Sequence, residues 1–209
     1  YNLEVLKLIL KIRPEFINDL LKTTFDEKTF ISRNDFLEND FKKLWTLDNR
    51  NEIFEHIIIF SSKFPSFFKN VRSEVSTAFQ GSGEKGINFL YYLVNKTTNE
   101  RVLKLLFNIV VSVFNESKYD FLKIILKKNL KIEFFKRLDF YAGSSVTINS
   151  RIPKIRQEIT IYEELRDFLQ NLNKIEYLEH LSFIENQING YKAEIEWERK
   201  HEFLGEWSI

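Results

Sequence analysis

The 209-residue chain contains no cysteine, no methionine, three prolines and six glycines. Without cysteine it can form no disulfide, no thiolate metal site and no cysteine nucleophile. The few prolines and glycines exclude collagen-like and low-complexity chains. Neither sign of charge predominates, because 31 basic and 30 acidic residues give a formal net charge of +1. This balance excludes a globally basic nucleic-acid coat protein and an acidic tail protein.

Long apolar runs and targeting signals are also missing. The longest apolar runs, such as residues 57–60 and 109–111, are far shorter than the roughly 20 residues that cross a bilayer. The first residues lack the basic, apolar and small-residue regions of a secretory signal. We therefore expect an intracellular, cytoplasmic protein. A start at Tyr1 and abrupt ends indicate a fragment of a longer protein, with a processed whole protein as the alternative.

The chain has enough apolar residues for a core, with 44% hydrophobic and 29% charged residues. Its dominant hydrophobic period is helical, as shown by Leu3, Leu6 and Leu10 on one face. Short polar breaks separate about ten predicted helices. Pro14 suits the first turn of one helix, and Asp48 is a plausible N-cap for another.

The breaks between predicted helices have recognisable chemistry. Residues 81–86 form the clearest break, and residues 97–99 offer N-caps for the next apolar helix. Residues 142–152 are the longest non-helical stretch and predict a short hairpin or an ordered loop. Pro153 begins a helix, and the last long helical run is expected to be interrupted at residues 189–190.

The predicted helices also show a degenerate repeat, with intervals of roughly 34–37 residues. One helix pair cannot bury both of its apolar faces, so neighbouring pairs must cover it. We predict an all-α fold, an α-solenoid of about five antiparallel helix pairs, with an irregular helical bundle as the alternative. Residues 1–209 would form a single helical-repeat domain, with a sub-boundary at residues 142–152 left open. The helices start near Pro14, Asn51, Glu84, Lys118 and Pro153.

In this periodicity the chain resembles α-solenoids of the HEAT and armadillo type, which tolerate large side chains in their helices. The small residues of the tetratricopeptide pattern are absent. A shorter stretch, Arg-Ile-Pro-Lys-Ile-Arg at residues 151–156, resembles the helical sensor regions of bacterial STAND-type NTPases. That second resemblance implies a foreign or host protein as ligand, and an output from another domain.

Catalytic and cofactor motifs are weak. Residues 81–86, Gly-Ser-Gly-Glu-Lys-Gly, match the spacing of dinucleotide-binding loops, but that motif needs a preceding strand and residues 72–80 have a helical pattern. Glu198 and His201 have the Glu-x-x-His spacing of di-iron bundles, which need a second copy. We expect no enzyme activity, no cofactor and no metal. An unrecognised enzyme site on the 142–152 loop is the remaining alternative.

Two features indicate binding of a macromolecule. Residues 118–137 carry seven basic and two acidic residues, a stripe that is either a solvated lysine face or a surface for phosphates or an acidic protein. Two C-terminal tryptophans either cap the stack or anchor a partner. We expect a non-catalytic protein–protein interaction scaffold or recognition segment, with nucleic-acid binding through the stripe as the alternative. The candidate residues are Lys123, Lys127, Lys128, Lys131, Lys136, Arg137, Trp197 and Trp207.

Overall fold

A computed structural model describes residues 3–24, 41–63, 75–140 and 151–205. Across these ranges the chain is helical or lies in turns between helices, with no strand, so the predicted all-α class is confirmed. The contacts divide it into two compact units. Residues 1–129 with 137–139 form the first unit, and residues 130–136 with 140–209 form the second. The hairpin or loop predicted for residues 142–152 falls almost wholly outside the described ranges.

The first unit consists of short helices joined by tight turns. Short 3-10 helices occupy Phe41–Thr46 and Asn115–Ser117, and residues 75–79 are helical. The α-helices are α1 Leu3–Ile12, α2 Phe16–Thr24, α3 Arg50–Ser61, α4 Glu84–Lys96, α5 Glu100–Val113 and α6 Lys118–Lys128.

The N-terminus of α5 is capped as the sequence predicts. Oδ1 of Asn99 accepts hydrogen bonds from the main-chain N–H groups of Arg101 and Val102, at 3.0 and 3.3 Å. These N–H groups have no partner within the helix, so the side chain satisfies them. Asn99 therefore fixes where this apolar helix begins.

The N-terminus of α3 differs from the prediction. Asn49, not Asp48, occupies the cap position, and its side chain makes no capping hydrogen bond. Instead Nδ2 of Asn49 donates to the main-chain carbonyl of Leu10 at 2.8 Å. The side chain thus ties α3 to α1, a tertiary role that a cap motif does not reveal.

The turn before α4 requires glycine. Gly81 and Gly83 have φ angles of +78° and +56°, in a region that residues with a Cβ rarely adopt. Helix α4 begins directly afterwards, at Glu84. The residues that match a dinucleotide-binding spacing therefore form a turn between helices.

Helix α5 is the most buried element of the first unit. It contacts α3, α4 and α6. Because it has neighbours on several sides, its apolar residues cover most of the helix circumference and leave one polar strip, which carries Arg101, Lys104 and Ser112. Its buried residues include Val102, Leu103, Leu105, Leu106, Phe107, Ile109, Val110 and Val111.

An aromatic cluster joins several elements of the first unit. The rings of Trp45 and Phe54 stack with centroids 3.8 Å apart. Phe79 and Phe89 complete the cluster, with centroids 5.1 and 6.0 Å from the ring of Trp45. Four aromatic rings from the Phe41–Thr46 helix, α3, residues 75–79 and α4 therefore pack into one core.

The second unit is built on a long helical hairpin of α8 Ile152–Asn171 and α9 Leu178–Gly205, with a short α7 Ile132–Phe135 and a 3-10 helix at Ile175–Tyr177. The hairpin is antiparallel. Arg151 pairs with Glu194 at 3.0 Å at one end, and Arg166 pairs with Glu185 at 3.5 Å nearer the turn.

Helix α9 continues through Asn189 and Gly190, so the predicted interruption there is wrong. Helix α8 packs along it, and such packing stabilises a helix beyond its intrinsic propensity. Helix α7 is short, since it covers only Ile132–Phe135 and residues 136–140 that follow it are not helical.

A buried histidine lies beside α7. His180 is 2% exposed, and neither ring nitrogen has a hydrogen-bond partner in the part of the chain that the structure describes. The ring of Phe135 packs edge-on against it, with centroids 4.7 Å apart. Burial lowers the pKa of His180 below its ordinary value, and this outweighs the opposing effects of the nearby Glu179 carboxylate and the Leu130 main chain.

Five of the α-helices begin at evenly spaced positions along the chain. Helices α2, α3, α4, α6 and α8 each begin 34 residues after the previous one, at Phe16, Arg50, Glu84, Lys118 and Ile152.

None of the helices in the described ranges has the length and apolar character needed to cross a membrane.

Candidate functional site

The predicted basic stripe falls into both units. Lys123 and Lys127 are exposed on α6, and neither forms an ion pair with a described residue. Nζ of Lys128 donates to the main-chain carbonyl of Asn95 at 2.7 Å, at the C-terminal end of α4. Lys128 therefore serves a structural contact inside the first unit.

The remaining members of the stripe are also engaged. Arg137, in the first unit, binds Glu100 with an Nη2–Oε2 distance of 2.7 Å. Lys136, in the second unit, pairs with Glu133 at 3.0 Å, and Lys131 of that unit also has an interaction partner. The structure therefore places Lys123, Lys127, Lys128 and Arg137 in one unit and Lys131 and Lys136 in the other.

The two candidate tryptophans lie on or beyond α9. Trp197 is 56% exposed on this helix, although it also has an interaction partner. Trp207 lies outside the described residues. The tryptophan that is buried is Trp45, in the aromatic cluster of the first unit.

A cleft that the sequence does not point to opens between α3 and α4. Its volume is about 600 Å³, within the range of roughly 300–1,000 Å³ that is typical of ligand sites. Helix α3 contributes five lining residues, and α4 contributes two. The lining residues are Asn51, Glu52, Glu55, His56, Ile59, Tyr92 and Lys96.

An ion pair joins the two sides of this cleft. Nζ of Lys96 donates to both carboxylate oxygens of Glu55, at 2.7 and 2.9 Å. The hydrogen bond from Lys96 to Glu55 raises the pKa of this lysine. Nζ of Lys96 also lies 5.7 Å from the ring centroid of Tyr92. The charge of Lys96 is thus satisfied within the protein.

His56 is held at the inner side of the cleft. Nδ2 of Asn18, on α2, lies 3.1 Å from Nδ1 of His56. Which nitrogen donates depends on the tautomer of the ring. The contact ties α3 to α2 and places a ring with hydrogen-bonding nitrogens at the cleft.

Two exposed apolar side chains face the cleft from opposite helices. Ile59 on α3 is 42% exposed and Tyr92 on α4 is 50% exposed. The sequence signal for both residues is their position on a polar helix face, Ile59 with Glu52 and Tyr92 with Lys96, and apolar neighbours conceal it. Ile59 belongs to an apolar run in which residues 57, 58 and 60 are buried, and Tyr92 follows the half-buried Tyr91.

The described residues include no group of three or more histidine, aspartate or glutamate side chains placed to hold a metal ion. In the Glu198–His201 pair, Oε1 of Glu198 lies 3.8 Å from Nη1 of Arg151. The side chain of His201 is outside the part of the chain that the structure describes. The cleft combines an apolar pair with carboxylates, the Lys96 ammonium and hydrogen-bonding groups.

Comparison of the chain with protein-family models, with curated proteins and with solved structures finds no match.

Proposed function

We propose that this chain is a non-catalytic protein–protein interaction segment that binds its partner at the cleft between α3 and α4. The observation that carries the proposal is the pair Ile59 and Tyr92. Exposed apolar side chains that line one cleft from different helices, with polar groups around them, are typical of protein interaction sites. An intracellular protein partner fits this surface.

The proposed scaffold is a stack of helical hairpins that begin every 34 residues. The even spacing of the helix starts supports it. This period equals the roughly 34 residues of tetratricopeptide repeats and is shorter than the roughly 40–47 residues of HEAT and armadillo repeats. We therefore propose a solenoid of short hairpins that keeps the large side chains of the latter families.

Hydrogen bonds inside the first unit support the same arrangement. Lys96 bonds to Glu55 across 41 residues, and Lys128 bonds to the carbonyl of Asn95 across 33. Arg137 bonds to Glu100 across 37 residues. Each separation is close to one period, as expected where a hairpin contacts mainly the next hairpin.

Nucleic-acid binding is the alternative, and it rests on Lys123 and Lys127. These two exposed lysines lie one turn apart on α6, where a phosphate backbone could reach both. Binding by them would weaken steeply as the salt concentration rises, whereas docking on an apolar pair would depend little on salt.

A site-specific photo-crosslinking experiment tests the proposal. A benzophenone amino acid replaces Tyr92, Lys127 or the exposed Ser112 of α5 in three separate proteins, which are irradiated in source lysate with nuclease and at high salt. We expect a protein adduct from position 92 that disappears when Ile59→Asp is added. Adducts equally strong from position 112 would contradict the proposal. Adducts from position 127 that vanish with nuclease would favour the alternative.

A further inference from the structure

We infer that the cleft between α3 and α4 takes a short basic–aliphatic segment of a partner protein, an inference that rests on the proposed function. In this arrangement a branched aliphatic side chain lies between Ile59 and Tyr92. A lysine or arginine next to it in the partner binds the carboxylate of Glu52.

The charges that line the cleft determine the sign of the charge that a partner must carry. Glu55 and Lys96 neutralise each other through two short hydrogen bonds. Glu52 is exposed in the first turn of α3, and no ion pair joins it to a described residue. The lining therefore carries one uncompensated negative charge, which attracts a cation and repels an acidic segment.

The apolar pair determines the second part of the recognition. Ile59 and Tyr92 come from different helices, so a side chain between them would be covered from two sides. Burying such a side chain removes apolar surface from water at both partners. Tyrosine suits this role because its ring offers a large contact area at a small cost in conformational entropy.

The open form of the cleft favours a peptide segment over an enclosed small molecule. Small-molecule sites bury most of the ligand surface in a predominantly apolar pocket. Here Glu52, Ile59, Tyr92 and Lys96 are all exposed, so the cleft is accessible along its rim. An extended segment can lie across such a rim and place single side chains inside.

Selection from a random peptide library tests the inference on the full chain. Wild-type protein is compared with Glu52→Lys and with the control Glu84→Lys. Glu84 is also an exposed glutamate in a first helical turn, eight residues before Tyr92 and so about 12 Å away along α4. We expect wild type and the control to select a basic residue beside an aliphatic one. The Glu52→Lys protein should select an acidic residue at that position.

A second comparison tests the apolar contact with one selected peptide. Ile59→Asp should weaken binding by about tenfold or more, as at interface hot spots. Leu8→Asp, at a 64% exposed position on α1, should leave the affinity unchanged. Circular dichroism of each variant checks that its helices remain folded.

Three outcomes would overturn the inference: no peptide enriched over background, no basic residue among the peptides selected by wild type, or the same preference after Glu52→Lys. Any of these would leave the proposed function standing if position 92 still crosslinks to a protein in the lysate. The absence of that adduct would instead count against the proposed function itself.

Discussion

The indole nitrogen of Trp45 donates a 2.8 Å hydrogen bond to the main-chain carbonyl of Ala78, 33 residues further along the chain. Ala78 lies at the end of a helical segment, where carbonyl groups have no partner within the helix. Trp45 therefore satisfies a helix end and also fills the aromatic cluster, with its ring stacked on Phe54.

Trp45→Phe is expected to lower the free energy of unfolding by about 1–3 kcal/mol, because a buried carbonyl loses its donor. Chemical denaturation followed by circular dichroism measures the effect. Trp197→Phe serves as the matched control, since Trp197 is largely exposed and the change should stay within about 0.5 kcal/mol. Equal losses in both variants would show that the bond to Ala78 is unimportant.

Asn99→Ala should destabilise the first unit by about 1 kcal/mol, the usual cost of removing an N-cap side chain. Oδ1 of Asn99 accepts from two main-chain N–H groups at the start of α5, and alanine offers no acceptor. Asn99→Asp keeps the acceptor and adds a charge that the helix N-terminus favours, so it should retain stability. A loss of similar size with aspartate would disprove the capping role. Urea denaturation of the three proteins provides the measurement.

His180 should make stability depend on pH. Its pKa is lowered by burial in the folded chain, so the unfolded chain binds the proton at a higher pH. The free energy of unfolding therefore falls as pH drops below the ordinary value of 6.5, by up to about 1.4 kcal/mol per pH unit. Above that pH this group contributes no pH dependence.

His180→Phe keeps an aromatic ring against Phe135 but cannot be protonated. Denaturation curves of both proteins across this pH range should show a smaller slope for the variant, even if its larger ring changes the absolute stability. Parallel slopes would contradict a role for His180 in acid sensitivity.

Two glycines within helices should respond in opposite directions to alanine. At Gly190 an added Cβ meets no atom within 4 Å, so Gly190→Ala should stabilise by about 0.5–1 kcal/mol through helix propensity. At Gly86 the Cβ would collide with the side chain of Ser82 and come within 3.1 Å of the Phe114 ring. Gly86→Ala should therefore destabilise. Thermal unfolding of both variants tests the contrast, and stabilisation by both would refute it.

The local features of this fold follow from the sequence where one residue decides the geometry. Residues 97–99 mark the start of α5, and Pro153 marks the first turn of α8. The hydrophobic pattern also indicates the even spacing of five helix starts, although only approximately. The interruption predicted at residues 189–190 fails because packing against α8 overrides local propensity.

The candidate site could not be predicted in the same way. Ile59 follows Glu52 and Glu55 on one face of α3, but it also stands inside a continuous apolar run with the buried Ile57 and Ile58, which conceals its exposure at the level of sequence. The hydrogen bonds of the lysines likewise depend on tertiary structure. Lys128 bonds to a carbonyl 33 residues away, a contact that no local pattern encodes.

The similar sequence separations of hydrogen-bonded residues in the first unit affect how this unit folds. Bonds such as those of Lys96 and Trp45 close loops of 41 and 33 residues, each close to the 34-residue spacing of the helix starts. Loops of this length cost less entropy to close than contacts between the two ends of the unit would. We therefore expect these contacts to form early in the folding of the first unit.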